Sequence, residues 1–383
     1  MRNTLLRFTA IATAMAALAA FTVPASAFAA GAAVGKENTE KASVVSYWTP
    51  ERILSARPLT MAKISVSSVV ANDTEGNAVE ANGTPAGADG AAPKSRLSAS
   101  LATRLFTPED ADLAAAKQAL DEYDAIEGDN FGTLNAQFSS TRVFPDSATV
   151  AYPYITVGKL FFTIPGQGNF ICSGSVLRRR VILTAGHCVH SGNGNVSGYY
   201  QNFMFVPAYR SGVAPAGTWD WQYVNTTATW FSGGASFPNA ADYAMIEPRD
   251  IGSNIIGNVT GYLGYQTLKL FPNHAHLLGY PANHDSGERM HEVTSQSLRK
   301  TNPNATEYGS DMRGGSSGGP WVQNFGVVSS GQTGGSNTGS NRVIGITSYG
   351  FVSTTPLIQG SSIPDSRFTS LLTVLCNHRS GNC

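Results

Sequence analysis

The sequence predicts an all-β fold, either a barrel or a sandwich, from Tyr154 onward. Short apolar runs recur there at close spacing, separated by Gly, Pro, Asn and Ser. Strands this short and this closely spaced favour packed antiparallel sheets over alternating strands and helices. The predicted strands cover 158–164, 175–184, 203–206, 243–246 and 344–348. One short helix is expected over 366–375, and nothing in the chain repeats at a fixed period.

The first 27 residues have the organisation of a secretory signal peptide. Arg2 and Arg7 precede an apolar stretch over 8–23, and Pro24-Ala25-Ser26-Ala27 is a small-residue cleavage pattern. A retained membrane anchor is the alternative, but threonines interrupt the stretch and no second hydrophobic segment comes after it. We therefore expect a secreted, extracellular protein without a membrane partner.

Residues 28–140, called the N-terminal region below, contain few large apolar residues and differ in texture from the β-rich remainder of the chain. Residues 73–95 are mostly small or polar, which predicts a flexible linker. A capping hydroxyl at Thr107, a proline and two acids then indicate a helix over Pro108 to Tyr123. We expect this region to be a propeptide that is removed on maturation, or else an accessory domain that stays attached, ahead of a domain over 141–383.

Charge and cysteine content narrow the function classes. Lys and Arg number 26, as do Asp and Glu, so the net charge is zero and a nucleic-acid partner is disfavoured. The four cysteines of an exported chain can form two disulfides in three alternative pairings. A zinc site is the other interpretation, but their positions, 172, 188, 376 and 383, lack CxxC spacing.

Two distant strings supply a base and a nucleophile for acyl transfer. His187 lies in Leu183-Thr184-Ala185-Gly186-His187-Cys188, and Ser317 lies in Gly315-Ser316-Ser317-Gly318-Gly319-Pro320. A serine needs a neighbouring imidazole to take its proton, and a carboxylate must orient that imidazole. Asp242, just before the apolar run Tyr243-Ala244-Met245-Ile246, is the candidate carboxylate. The catalytic residues predicted are therefore His187, Asp242 and Ser317.

These three strings resemble those of the chymotrypsin-like serine endopeptidases, over about 154–373. The approach to the serine, residues 311–315, is most similar to the secreted bacterial branch that includes glutamyl endopeptidases. The resemblance implies a double six-stranded antiparallel β-barrel and a monomer that cleaves protein or peptide substrates without a cofactor or metal. It also implies a Cys172–Cys188 disulfide, which leaves Cys376 to pair with Cys383, and a propeptide that holds the enzyme inactive.

The residues around the nucleophile predict how it would work. Gly315 can adopt backbone angles closed to other residues, so its amide and that of Ser317 can converge as an oxyanion hole. By the resemblance, Ser348 supports Asp242. We expect an acyl-enzyme on Ser317, and activity that falls on the acid side as His187 takes up a proton.

The family pattern breaks near the expected specificity pocket. Ser316 replaces the aspartate with which trypsin-like zymogens bind their new N-terminus, so activation should depend on removal of the propeptide. Thr347, two residues before Tyr349, replaces the histidine usual in glutamyl endopeptidases, which argues against glutamate specificity. Asp311 lies six residues before Ser317, where trypsin has the acid that selects Arg or Lys. With Tyr349 and Gly350, Asp311 and Thr347 form the candidate pocket.

Competing assignments are left open by the sequence. Asp220 and Asp250 are alternative carboxylates, and the remaining histidines are expected at the surface or in loops; they are His190, His274, His276, His284, His291 and His378. Residues 315–319 also fit the nucleophile elbow of a lipase or esterase, with Asp365 and His378 in the order of that fold, although proline comes after the elbow where a helix is needed. A third alternative is a binding protein that has kept the barrel and lost catalysis.

Overall fold

The structure is a computed structural model that describes residues 31–39, 44–60, 62–64, 81–111, 136–326, 339–351 and 357–383. The expected signal peptide lies outside the described residues, as does most of the helix expected to reach Tyr123. The start of that helix is confirmed, since residues 108–111 are helical. Thr107 and Asp110 cap it reciprocally: Thr107 Oγ1 accepts the amide of Asp110 at 3.2 Å, and the Asp110 carboxylate accepts the amide of Thr107 at 2.8 Å.

The strands in the described residues up to 142 are all short. These are β1 (Lys36–Glu37), β2 (Arg57–Pro58), β3 (Ala62–Ile64), β4 (Gly87–Ala88), β5 (Thr103–Arg104) and β6 (Phe138–Arg142).

Seven further strands come next along the chain, and six of them close into a first antiparallel barrel. They are β7 (Val157–Ile164), β8 (Gly168–Arg178), β9 (Val181–Thr184), β10 (Gln201–Pro207), β11 (Val213–Ala214), β12 (Trp219–Thr226) and β13 (Ala244–Pro248). The order is β12-β10-β7-β8-β9-β13, and β13 pairs back to β12. The apolar run 175–184 is two strands, because the chain turns at residues 179–180 between β8 and β9, where Arg180 bonds Asp250 at 2.8 Å.

The second barrel is built from the remaining strands. They are β14 (Gly264–Gln266), β15 (His274–Gly279), β16 (His291–Thr301), β17 (Ala305–Gly309), β18 (Pro320–Gln323), β19 (Arg342–Ile346), β20 (Tyr349–Phe351) and β21 (Ile358–Ser362). The ladder runs β20-β21-β17-β16-β15-β18-β19. The two ends of this ladder, β19 and β20, are separated by only two residues of chain. Between them the Ser348 amide donates to the carbonyl of Gly360 in β21 at 2.9 Å, so this sheet also closes on itself. The predicted double six-stranded barrel is confirmed.

Besides the helix start at 108–111, the helices of the described ranges are few and short. They are α1 (Pro50–Leu54), α2 (Ala228–Phe231), α3 (Ile256–Thr260) and α4 (Ser366–His378), with 3-10 turns at Val44–Ser46, Ala99–Leu101, Asp146–Val150, Tyr154–Thr156, Gly186–Cys188, Val196–Gly198 and Asp285–Gly287. Asp365 is the N-cap of helix α4, and its carboxylate accepts the Arg367 amide. The helix buries Phe368 and Leu371. It extends three residues beyond the predicted end. No helix within the described ranges is long and apolar enough to cross a bilayer.

The N-terminal region is not separate from the barrels. Its strands pair with their edges: β1 with β12, β2 with β8, β3 with β20, β4 with β14, β5 with β11 and β6 with β16. Trp48 and Ile53 are also buried in the core of the first barrel. Residues 81–95, the described part of the expected linker, pair with the second barrel through β4 and through Ala91.

Candidate active site

The candidate catalytic residues come from both barrels. His187 lies in the 3-10 turn directly after β9, and Asp242 lies two residues before β13, to which β9 is paired. Ser317 lies in the loop between β17 and β18 of the second barrel. The Ser173 amide in β8 donates to the Ser317 carbonyl at 2.7 Å. This bond ties the serine loop of one barrel to a strand of the other.

The Asp242 carboxylate fixes the imidazole. It accepts the His187 amide at 2.8 Å on one oxygen, and its other oxygen lies 2.7 Å from His187 Nδ1. The Ser348 hydroxyl donates to that second oxygen at 2.5 Å, in the position expected from the sequence. Asp242 is only 1 % exposed. These three bonds fix the carboxylate of Asp242, and with it the orientation of the His187 ring.

The cysteine pairing expected from the sequence is confirmed, and it clamps the His187 segment. Cys172 bonds Cys188, one residue after His187, and Cys376 bonds Cys383 at the end of α4. Zinc ligation by these cysteines is wrong, since all four sulfurs are in disulfides. The ligand atoms of Cys172, His187 and Cys188 lie within 4.8 Å of one another, but neither sulfur is a thiolate.

Ser173, which the sequence did not single out, holds the serine loop. Its hydroxyl donates to the Gly315 carbonyl at 2.8 Å and accepts the Tyr280 amide at 2.9 Å. Gly315 has φ +92° and Gly318 has φ +81°, so both need glycine. A Cβ at Gly318 would lie 2.1 Å from Thr184 Oγ1, three residues before His187. The serine loop is therefore packed directly against the strand end that carries the imidazole.

The candidate reacting atoms are buried and have no partner within the described ranges. Neither Ser317 Oγ nor His187 Nε2 has a hydrogen-bond partner among the described residues, so the expected bond between them is not formed. The amides of Gly315 and Ser317 likewise donate to no acceptor in the described part of the chain. Catalytic hydrogen bonds of this kind often tighten only when substrate binds.

The candidate pocket residues already have partners. Asp311 is 3 % exposed, and its Oδ2 lies 3.0 Å from His284 Nε2. The Thr347 hydroxyl accepts the indole N–H of Trp321 at 2.8 Å. Tyr349 is buried beside Glu307; burial raises the pKa of its phenol well above the ordinary value, and the carboxylate adds to the shift. Gly350 pairs with Gln359 in β21.

Ser316 is held inside the serine loop. Its hydroxyl donates to the Arg313 carbonyl at 2.7 Å and accepts a hydrogen bond from the side-chain Nε2 of Gln359 at 3.0 Å. Both bonds are between neutral groups, so this position is satisfied without a charged partner.

One of the other histidines, His291, contradicts the expected surface or loop position, since it lies in β16 at 7 % exposure. His190 lies in a loop, as expected, but is fully buried. Burial lowers the pKa of His190, and the neutral ring accepts the Gly192 amide while lying 2.8 Å from the Asn195 carbonyl. The remaining four, His274, His276, His284 and His378, are partly or fully exposed.

The competing carboxylates are occupied elsewhere. Asp220 pairs with Arg249 at 3.1 Å, and Asp250 pairs with Arg180. The lipase alternative also fails, because the serine loop leads into the strand β18 where an elbow needs a helix. Its proposed partners lie apart from the loop: Asp365 pairs with Arg367, and His378 lies 2.6 Å from Glu247.

Known proteins share part of this sequence. No family model matches it. The extracellular metalloprotease of Bacillus subtilis (strain 168) is 24% identical over 183 residues, 47% of this chain and 55% of that protein. The chain thus spans about half the length of the curated relative that it matches.

Among solved structures, the thermostable serine protease AL20 from an extremophilic microorganism is 26% identical, covering 59% of this chain and 96% of that one at a TM-score of 0.49. The protease Anisep from Arthrobacter nicotinovorans is 28% identical, covering 57% and 93% at 0.47. A Glu endopeptidase in complex with MPD is 21% identical, covering 61% and 94% at 0.47.

The architecture of this chain is that of the chymotrypsin-like serine proteases. Two closed six-stranded antiparallel barrels define it, with the candidate residues where the barrels meet. The fold class expected from the sequence resemblance is therefore confirmed.

Proposed function

We propose that this protein is a secreted serine endopeptidase that hydrolyses peptide bonds through an acyl-enzyme on Ser317. The observation that carries the proposal is the buried Asp242–His187 pair beside a serine loop whose hydroxyl is unpaired. A carboxylate bound at Nδ1 keeps the ring proton there, which leaves the other nitrogen of a neutral imidazole as the proton acceptor. Here the other nitrogen, Nε2, is the free one.

The chemistry depends on the tautomer that Asp242 selects. With the proton on Nδ1, His187 Nε2 takes the proton of Ser317 Oγ as that oxygen attacks the carbonyl carbon of a peptide bond. The oxyanion forms toward the amides of Gly315 and Ser317, each of which lowers the barrier by about 3 kcal/mol. His187 then protonates the leaving amine, and water repeats the sequence on the ester. No step requires a group that the chain lacks.

Secretion and activation are part of the proposal. The signal-like N-terminus and the two disulfides suit an oxidising compartment. We propose that the N-terminal region is a propeptide and that its removal activates the enzyme. Because Ser316 is neutral and bonded within its loop, activation by a buried terminal ion pair is disfavoured.

The residue preference of the enzyme remains a separate proposal. A free Asp311 would favour Arg or Lys, but His284 already occupies one of its carboxylate oxygens. We therefore propose that Asp311 does not select basic residues. Profiling of the D311S variant on a peptide library is the test: an unchanged profile supports this, whereas loss of cleavage after Arg and Lys contradicts it.

The experiment that tests the function is labelling with a serine-directed phosphonate, together with peptide hydrolysis. We expect S317A to abolish both, and H187A to lower turnover by about 10⁴-fold or more. H378A is the matched control, since this histidine bonds Glu247 outside the site, and it should keep turnover. Turnover that survives H187A, or absence of labelling in the mature wild-type protein, would contradict the proposal.

A further inference from the structure

One stretch of the N-terminal region bridges the two barrels. We call residues 57–60 and 62–64 the cleft segment. Its β2 part pairs with Phe170 and Ile171 of β8 in the first barrel. Its β3 part pairs with residues 349–351 of β20 in the second barrel. Both pairings are parallel, so the described parts of the segment add one strand to each barrel in the same sense.

The segment passes close to the candidate nucleophile. A Cβ built on Gly314 would lie 3.1 Å from the Leu59 carbonyl oxygen and 3.5 Å from Pro58 Cβ. Gly314 precedes the oxyanion residue Gly315 and lies three residues before Ser317. The backbone of Leu59 therefore lies over the serine loop, between the two sheet edges on which β2 and β3 lie.

Side-chain and backbone contacts anchor the first part of the segment. The Leu59 amide donates to the Ile171 carbonyl at 3.1 Å, and its side chain packs on the core of the first barrel. The Arg57 guanidinium lies 4.9 Å from the Phe170 ring centroid and donates to the Gln167 carbonyl at 2.9 Å. Two of these contacts depend on the sequence of the segment, since they use the cation of Arg57 and the apolar side chain of Leu59.

The segment is not placed for cleavage. A scissile carbonyl must accept from the amides of Gly315 and Ser317, and those amides donate to no described acceptor. The Leu59 carbonyl lies against Gly314 instead. A peptide that pairs antiparallel with the same two edges would present its carbonyls and amides in the reverse order. The two directions are therefore mutually exclusive ways of filling one cleft.

We propose that the edges of β8 and β20 form a binding surface for an extended peptide in the parallel direction, and that the cleft segment is its occupant and acts as an inhibitor. This rests on the proposed function, because it assigns the surface to the cleft of that enzyme. Main-chain pairing supplies affinity, and Arg57 and Leu59 supply specificity. The bound segment keeps substrate from both edges and keeps Ser317 buried.

The first test uses the full-length chain. A fluorescent phosphonate is added at early times, and a gel separates label on the full-length band from label on shortened products. R57A removes the cation, and L59P removes the amide that bonds Ile171; each should speed labelling of the full-length band by about tenfold. E51A, an exposed residue of α1, is the matched control and should label at the wild-type rate.

The outcomes separate the two proposals. If no form is labelled, shortened products included, the serine-protease proposal fails. If shortened products are labelled but R57A and L59P label no faster than E51A, the cleft-segment proposal is overturned.

The second test adds a synthetic peptide of residues 44–64 to the processed enzyme. We expect competitive inhibition, an intact peptide by mass spectrometry, and a Ki about tenfold higher for the L59P peptide than for the E51A peptide. Inhibition of a noncompetitive kind, or cleavage of the peptide between 57 and 64 at the rate of a substrate, would refute the parallel inhibitory mode.

Discussion

Replacement of Asp242 by asparagine tests the orientation of His187. The carboxylate accepts from the His187 amide, lies 2.7 Å from Nδ1 and accepts from Ser348. An asparagine has one acceptor oxygen, so its NH₂ group must face either the His187 amide or the Nδ1 side. With the NH₂ group toward the ring, it donates to Nδ1 and moves the ring proton to Nε2; with the NH₂ group toward the His187 amide, two donors face each other, so the first orientation is favoured. Both orientations remove the negative charge that stabilises protonated His187.

The expected cost is large in rate and small in stability. Loss of the correct tautomer in such a triad lowers kcat by about 10⁴-fold, which is about 5.4 kcal/mol of barrier. One unsatisfied buried hydrogen bond costs about 1–3 kcal/mol of folding stability. We therefore expect D242N to fold, with nearly unchanged KM and a kcat lower by about four orders of magnitude.

The assay is peptide hydrolysis by the mature protein, with thermal unfolding to establish folding. D220N is the matched control, because Asp220 is also a buried aspartate of the first barrel but pairs with Arg249. It should leave kcat within a few fold of wild type. S348A removes a single donor to Asp242 and should cost about tenfold in kcat. A folded D242N that keeps a tenth of the wild-type kcat would refute the assigned role.

Three further predictions concern the supports of the site. S173A should lower kcat by about tenfold with little change in KM, because the serine loop loses a hydrogen bond that positions it; an effect on KM alone would contradict this. Replacing Cys172 and Cys188 by alanine should lower the free energy of unfolding by about 3 kcal/mol in denaturant titrations, for a loop spanning 16 residues; an unchanged value would contradict the clamp. Burial lowers the pKa of His378, but its hydrogen bonds to Glu37 and Glu247 outweigh burial, so the pKa is raised above the ordinary histidine value. Docking of β1 should therefore be strongest below the ordinary histidine pKa, and it should weaken as the pH rises through the raised pKa. Hydrogen exchange at 36–37 measures this docking, and E37Q should flatten its pH dependence.

The motifs of the sequence determined the local chemistry. His187, Asp242 and Ser317 were identifiable because base, carboxylate and nucleophile each occur beside residues that suit the role, such as the glycines around Ser317. The short, closely spaced apolar runs predicted the all-β class. The resemblance then implied the two barrels and the Cys172–Cys188 disulfide. The capped helix start at Thr107 was also predictable, because capping depends on residues three apart in the chain.

Only the tertiary structure decided which distant groups meet. Ser173 carries no local signal, yet it bonds Gly315, whereas Asp311 has a suggestive spacing but is paired with His284. The N-terminal region was expected to lie apart from the barrels because it has few apolar residues. It nevertheless adds strands to both, since backbone pairing needs no particular side chain and leaves no periodic pattern. Sequence pattern thus indicated the candidate reactive groups, and long-range pairing decided which elements hold and cover them.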